Sequence, residues 1–275
     1  MNTLPEPGNR ELPTEMRALR TAVIAPGVDN FFRDIHQLFR FGGLFFKEVV
    51  RPPFKGREMV RQFMEIGVKS LPLISVTGFV TGIVFTKQSR PSLAEFGATS
   101  WLPSLVAIAI LRALAPLITA LITAGKVGSN IGAELGSMKV TEQIDAMEVS
   151  ASNPFKFLVV TRVLATTFMI PVLMLYTGFI ALMGGFINVH ANEMTSFASF
   201  FEKAFDKITF LDLFSSLIKS LFFGFTIGLV SCYKGYTTSS GTRGVGIAAN
   251  GSVVMSMFLI FVEEIVAVQI TSWFR

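Results

Sequence analysis

The sequence predicts an all-α integral membrane protein. It has five transmembrane helices, an N-terminal amphipathic helix in the membrane interface, and a further helix on the cytoplasmic side between spans two and three. Three observations predict this. Five apolar stretches are each long enough to cross hydrocarbon, which takes about 20 residues of helix. Only 16% of the 275 residues are charged, whereas 51% are hydrophobic and 28 are Phe; soluble domains carry about a quarter charged residues. The mean hydropathy is +0.57, so lipid is the main solvent.

Residues 1–28 read as a mobile cytoplasmic leader, in which Pro5, Pro7, Pro13 and Pro26 discourage regular structure. They lack the apolar core of a secretion signal. Over about 29–50, Phe31, Ile35, Leu38, Phe39, Phe45, Phe46 and Val49 lie near helical spacing. Arg33, His36, Gln37, Arg40 and Lys47 supply the other side, as in a helix lying in the interface plane. A reentrant hairpin bent at Gly42-Gly43 is the alternative, and Arg51-Pro52-Pro53 ends either one. The rest of a single domain, 29–275, holds spans at about 66–85, 101–124, 157–189, 213–233 and 253–273. The third exceeds the length a crossing needs and contains Pro171, which predicts a kink or an overhang. Residues 190–212 mix charge with Phe and predict a short surface helix.

Basic residues set the orientation. With the N-terminus cytoplasmic, 17 of the 24 Lys and Arg fall inside and 6 outside, with Lys219 counted outside, Arg162 inside, and Arg112 left within a span. The excess of basic residues in cytoplasmic segments favours a cytoplasmic N-terminus and a periplasmic C-terminus. It also accounts for the net charge of +5 without nucleic acid.

Motifs for chemistry are missing from the sequence. One cysteine, Cys232, and two distant histidines, His36 and His190, give neither a disulfide nor a metal site. No nucleotide-binding phosphate loop occurs: Ala120 stands where its first Gly belongs and Val127 follows Lys126. Gly244-Val-Gly246 lacks the βαβ context of a dinucleotide site. A membrane-bound lipid enzyme would need paired catalytic groups that do not appear.

The segment 125–155, GKVGSNIGAELGSMKVTEQIDAMEVSASNPF, is too polar to cross lipid and too patterned for a slack loop. Gly125, Gly128, Gly132 and Gly136 break it early and permit close backbone packing. Val140, Ile144 and Met147 then form an apolar stripe, and Asn153-Pro154 starts the next helix. Glu134, Glu142, Asp145 and Glu148 outnumber Lys126 and Lys139, the wrong balance for anionic lipid. The segment suits a groove on another protein or a connector packed on its own bundle.

The run GAELGSMKVTEQIDAMEV, with Asn153-Pro154 and Arg162-Val163-Leu164-Ala165, resembles the signature of MlaE/YrbE-type permeases, membrane subunits of ABC transporters that serve MCE-domain lipid carriers. Leu111-Arg112, Pro116-Leu117 and CYKGYTTSSGTRGVG extend the resemblance over most of 40–275. Ala113, where the family usually has an acid, Lys126, where it commonly has Arg, and IAANGS at 247–252 depart from it. The resemblance implies a homodimer in the bacterial inner membrane that moves phospholipid. Its other partners would be a cytoplasmic ATPase dimer holding ATP and magnesium, a periplasmic MCE-domain protein and a small STAS-like regulatory subunit. Residues 128–149 would form the coupling helix, with Glu134, Met138, Thr141, Glu142, Asp145 and Met147 meeting the ATPase.

Arg112, Glu263 and Glu264 lie about midway along their spans. A bare charge there costs at least ~2.5 kcal/mol, so Arg112 is expected to pair with Glu263 or Glu264 or to meet a lipid phosphate. Val76, Phe79, Val80 and Ile83 of span one are candidates to line an acyl-chain chamber. The rival reading is a secondary transporter that uses Glu263 or Glu264 as a proton site.

Overall fold

The computed structural model describes residues 25–50, 56–150, 153–239 and 241–273. Among these residues there is no strand, and five helices are long and apolar enough to cross a membrane. Most of the expected leader and Arg51-Pro52-Pro53 lie outside the described residues.

The chain divides into two compact units, 1–44 and 45–275. In the first, helix α1 (Ala25–Val49, its last residues belonging to the second unit) starts within the expected leader. It runs through Gly42 and Gly43 as one helix, so the hairpin alternative is not adopted.

In the second unit, α2 (Gly56–Ile66) leads through a 3₁₀ turn, Val68–Ser70, into α3 (Leu71–Glu95), which has Pro72 in its first turn. Proline suits that position because the N–H it lacks has no helical partner there. Span two belongs to α4 (Thr99–Val140), a continuous helical run with π turns at Ile110–Leu114 and Ala124–Gly128. The glycine-rich stretch is therefore not the start of a connector. It prolongs α4 far past the expected end at 124. Glu142, left-handed at φ 58°, then turns the chain into α5 (Gln143–Val149). Val140 and Ile144 consequently sit on different helices, and of the expected stripe only Ile144 is fully buried.

The third span, α6 (Phe155–Glu193), starts after Asn153-Pro154, where the Asn153 side-chain oxygen accepts from the Lys156 N–H at 3.1 Å. It stays helical through Pro171. The expected surface helix is α7 (Phe197–Asp206), capped by Ser196 and held down by fully buried Phe200 and Ala204. The last two spans are α8 (Phe210–Tyr236) and α9 (Thr242–Trp273).

Helix α6 is the axis of the bundle, packing on α2, α3, α4 and α8. Its most apolar window is 67% buried, against 22% for α3 and 11% for α9, so those two helices turn most of their surface outward. Gly78 and Gly82 of α3 meet Thr177 and Ala181 on one side of α6, while Gly224 and Gly228 of α8 meet Thr166 and Val163 on another. Both small-residue pairs thus pack helices within this chain. Hydroxyl pairs add to the same contacts: Ser75 with Tyr176 and Thr119 with Thr177, each at 2.7 Å.

A methyl group at Gly82 would run into the Ala181 carbonyl, whereas one at Gly246 meets nothing within 4 Å. Overpacking costs about 1–3 kcal/mol. Gly82→Ala should therefore lower the thermal unfolding midpoint of the detergent-solubilised protein by several degrees. Gly246→Ala, measured alongside, should leave it within error or raise it slightly.

Candidate functional site

Two features stand out from the bundle: a chain of charges inside the membrane bordered by apolar grooves, and an arm that carries an acidic helix at its tip.

The charges start at the π turn of α4. Pro116, just after this turn, has no N–H and so leaves the Arg112 carbonyl without its usual donor four residues on. Ser216 Oγ of α8 donates to the Leu111 carbonyl at 2.9 Å, and Lys219 Nζ donates to the Arg112 carbonyl at 3.0 Å. The Arg112 guanidinium lies 2.9 Å from Asp212 Oδ1. The other Asp212 oxygen accepts from the Thr209 N–H at 3.2 Å, closing the capping box that opens α8. Lys219 Nζ also donates to Glu264 Oε1 of α9 at 2.8 Å, with both side chains largely buried. Glu263 Oε1 accepts from the Thr226 hydroxyl.

The expected pairing of Arg112 with Glu263 or Glu264 is therefore corrected. Arg112 pairs with Asp212, and Glu264 pairs with Lys219. Helix α8 starts at Phe210, so Asp212, assigned to the connector, and Lys219, assigned to the outside, both lie on its buried face. The sequence signal was present: Asp212, Ser216 and Lys219, spaced four and three apart, draw a polar stripe on an apolar helix. Likewise Arg162, counted among cytoplasmic cations, is a fully buried residue of α6.

Two grooves border these charges. One, of about 550 Å³, runs between α8 and α9, with Phe214, Ile218, Phe222, Val262 and Val266 along it and Lys219 and Glu263 at its polar spot. The other, of about 760 Å³, lies beside the α3–α4 turn, where Phe85, Trp101, Leu105 and Ile108 are joined by Arg112 and Lys207. Both volumes lie in the range usual for small-molecule sites, about 300–1,000 Å³. The span-one candidates lie elsewhere. Val76 and Val80 are outward-facing at 64% and 50% exposure, Phe79 and Ile83 are half-buried, and none of the four lines either groove.

The arm is residues 129–140 of α4, laid against α8 and α9. Gly132 makes this possible, since a methyl there would stand 3.0 Å from the Ala248 carbonyl and collide with Ser252. Interior glycine costs a helix about 1 kcal/mol, an amount that close packing offsets here. At the tip, Thr141, Glu142 and Asp145 are exposed, and Met138 and Met147 are half-buried. Lys139 bridges to Asp145 at 2.7 Å. Glu134 is set apart from this group: it points back along the arm to Arg162 of α6, at 2.8 Å. Among the described residues, no His, Cys, Asp and Glu cluster could hold a metal ion.

Five helices long and apolar enough to cross a membrane make the chain a multi-pass membrane protein. Residues 59–270 match the family Permease MlaE, and this chain belongs to that family. A protein of Rickettsia conorii named "probable ABC transporter permease protein" is 35% identical over 246 residues, 89% of this chain and 92% of its own length. A Synechocystis protein of the same description is 33% identical over 234 residues, 85% of this chain and 89% of the relative. The chloroplastic protein Trigalactosyldiacylglycerol 1 of Arabidopsis thaliana is 32% identical over 210 residues, covering 76% of this chain and 60% of the plant protein. The chain is thus a transport subunit of the ABC permease type rather than an enzyme.

Removing one partner of a buried ion pair strands the other and costs about 3–5 kcal/mol. Lys219→Met alone should therefore sharply destabilise the detergent-solubilised protein. Lys219→Met combined with Glu264→Gln should recover most of the loss, a non-additivity that a double-mutant cycle of thermal unfolding measures.

Proposed function

We propose that this permease moves phospholipid between the bacterial inner membrane and an MCE-domain carrier, driven by a separate ATPase dimer that binds ATP and magnesium. It would act as a pair of identical chains, with a small STAS-like subunit on the ATPase side. The N-terminus and α5 would be cytoplasmic and the C-terminus periplasmic. The basic residues near the α5 end, Lys139, Lys156, Lys234 and Arg243, support that orientation.

The observation that carries the reading is the arm. A helix that crosses the membrane and continues rigidly into an exposed acidic tip is built to receive force from a partner at that tip. Glu142 and Asp145, with Thr141 beside them, offer the charge, and Met138 and Met147 offer deformable apolar contact. Lipid as cargo is supported by the two grooves, whose walls are apolar and whose polar groups are few. A phosphate would be met on the Arg112–Lys207 side, where Arg112, paired with Asp212, and Lys207, 3.5 Å from Asp206, stand beside an apolar wall. The name of the plant relative is that of a galactolipid, which agrees with a lipid-like cargo. In the paired complex the exposed Val76 and Val80, with Phe79 and Ile83, would form the facing wall of a shared chamber. Proton coupling through Glu264 is disfavoured because Lys219 holds it, and coupling through either acid because the relatives are named as ABC permeases.

Two measurements test this. Glu142→Lys with Asp145→Lys should abolish co-purification with the ATPase while leaving the permease folded, as read by its thermal unfolding. Lys207→Glu should cut the phospholipid retained through purification, quantified by mass spectrometry, because a charge-assisted contact is worth about 1.5–3 kcal/mol, or roughly tenfold and more in occupancy. Retained phospholipid unchanged in amount and class would count against the phosphate site. An ATPase that still co-purifies would count against the arm.

A further inference from the structure

Arg162 is the largest side chain fully buried in the bundle, at 1% exposure. Its guanidinium donates to two acceptors: one terminal nitrogen to the Leu158 carbonyl at 3.0 Å, on its own helix, and the other to Glu134 Oε1 at 2.8 Å, on the arm. Its Nε has no partner. A buried guanidinium keeps its charge and so needs an anion beside it, and here that anion is Glu134, itself half-exposed. The contact is unequal. Glu134 can turn to water, but Arg162 cannot follow it.

The surroundings give the pair a mechanical meaning. The arm packs on α8 and α9 through its glycine face. Its charged tie to α6, the axis of the bundle, is the Glu134–Arg162 bridge. Helix α2 joins the same cluster: Glu58 accepts from Arg61 at 2.6 Å and from Gln62 at 2.9 Å. Glu58 also feels the charge of Arg162, as Arg61 feels that of Glu134. Arg61, Glu58, Arg162 and Glu134 thus alternate in sign across three helices. A shift of the arm along α6 must stretch or break the one link in which Arg162 has its carboxylate.

We propose that the Glu134–Arg162 pair is a clasp that transmits displacement of the arm to the central helix, which makes Arg162 and Glu134 positioning residues for transport and not docking residues for the partner. This rests on the ATPase-driven reading above. It differs from the role implied by family resemblance, in which Glu134 meets the ATPase.

The test uses the complete transporter, permease with ATPase, reconstituted in phospholipid vesicles. Glu134→Gln keeps the shape and a hydrogen-bond acceptor but removes the charge. The clasp predicts intact assembly, ATP hydrolysis within about twofold of the parent, and lipid moved per ATP reduced at least tenfold. Glu134→Asp, which restores the charge, should recover most of that ratio. Unchanged lipid per ATP in Glu134→Gln overturns the proposal. Loss of assembly in a Glu134→Gln permease whose thermal unfolding midpoint stays near the parent's overturns it too, since Glu134 would then be a docking residue.

A second readout does not depend on the cargo. Spin labels at Ser137→Cys on the arm and Phe168→Cys on α6 occupy exposed positions, and native Cys232 is buried. In the parent, the distance between the labels should change when ATP binds and recover after hydrolysis. In Glu134→Gln the arm should move without α6, giving a larger and broader change. Equal changes in both proteins overturn the clasp even if phospholipid proves not to be the cargo. A parent that hydrolyses ATP without moving phospholipid would overturn only the cargo assignment.

Discussion

A charge in hydrocarbon must bring its partner with it, and this requirement organises the middle of the molecule. Asp212, Arg112, Lys219 and Glu264 come from α8, α4, α8 and α9, and their contacts bind three helices together. Pro116, just after the π turn at Ile110–Leu114, is part of the same device, because it has no N–H to give the Arg112 carbonyl and Lys219 takes that place. The apolar residues alone would let α8 and α9 slide or rotate against lipid at little cost. The paired charges fix their register.

Close approach is the second organising principle, and it acts where charges do not. Helices gain no hydrophobic driving force from burial against one another in lipid, so they associate by backbone proximity and van der Waals contact. Gly82 against Ala181 and Gly228 against Val163 bring α3 and α8 onto two sides of α6. The same close approach continues in the arm, where Gly132 seats α4 on α9. Glycine runs usually mark flexibility, but here they mark a smooth face in a rigid helix.

That inversion explains what the sequence made legible and what it hid. The five spans, the surface helix after α6 and the helix start at Asn153-Pro154 were legible because hydropathy and capping chemistry act locally. The arm was hidden because glycine lowers helix propensity, and the packing that overrides it comes from α8 and α9, far along the chain. The Arg112 partner was hidden for a related reason. Its depth was readable, but Asp212 was placed in the connector and Lys219 outside, so only Glu263 and Glu264 were weighed as partners. Only the rotation of α8 about its own axis decides that Asp212 faces α4. The grooves were missed because an outward-facing valine and one lining a cavity look alike in sequence, as Val80 and Val262 show.

The two charge clusters are not independent, because they share one helix. Arg112 and Glu134 are 22 residues apart on α4, about 33 Å along a helix axis at ~1.5 Å per residue. Each has its partner on a different helix: Asp212 on α8 for Arg112, and Arg162 on α6 for Glu134. A push on α5 along the axis of α4 therefore loads both pairs at once, one against α8 and the other against α6. The π turn at Ala124–Gly128 lies between them, and a π turn is a place where a helix can gain or lose a residue of register without unfolding. Lys126 within that turn donates to the Lys69 carbonyl in the 3₁₀ turn that leads into α3, so the turn is also anchored to the entry of the first span. An α4 that takes up strain at this turn would leave the grooves undisturbed, whereas an α4 that stays stiff would carry the motion to Arg112. The ion pairs at both ends favour the stiff response, since giving up either one exposes a largely buried partner, Arg162 or Asp212, without its counter-charge.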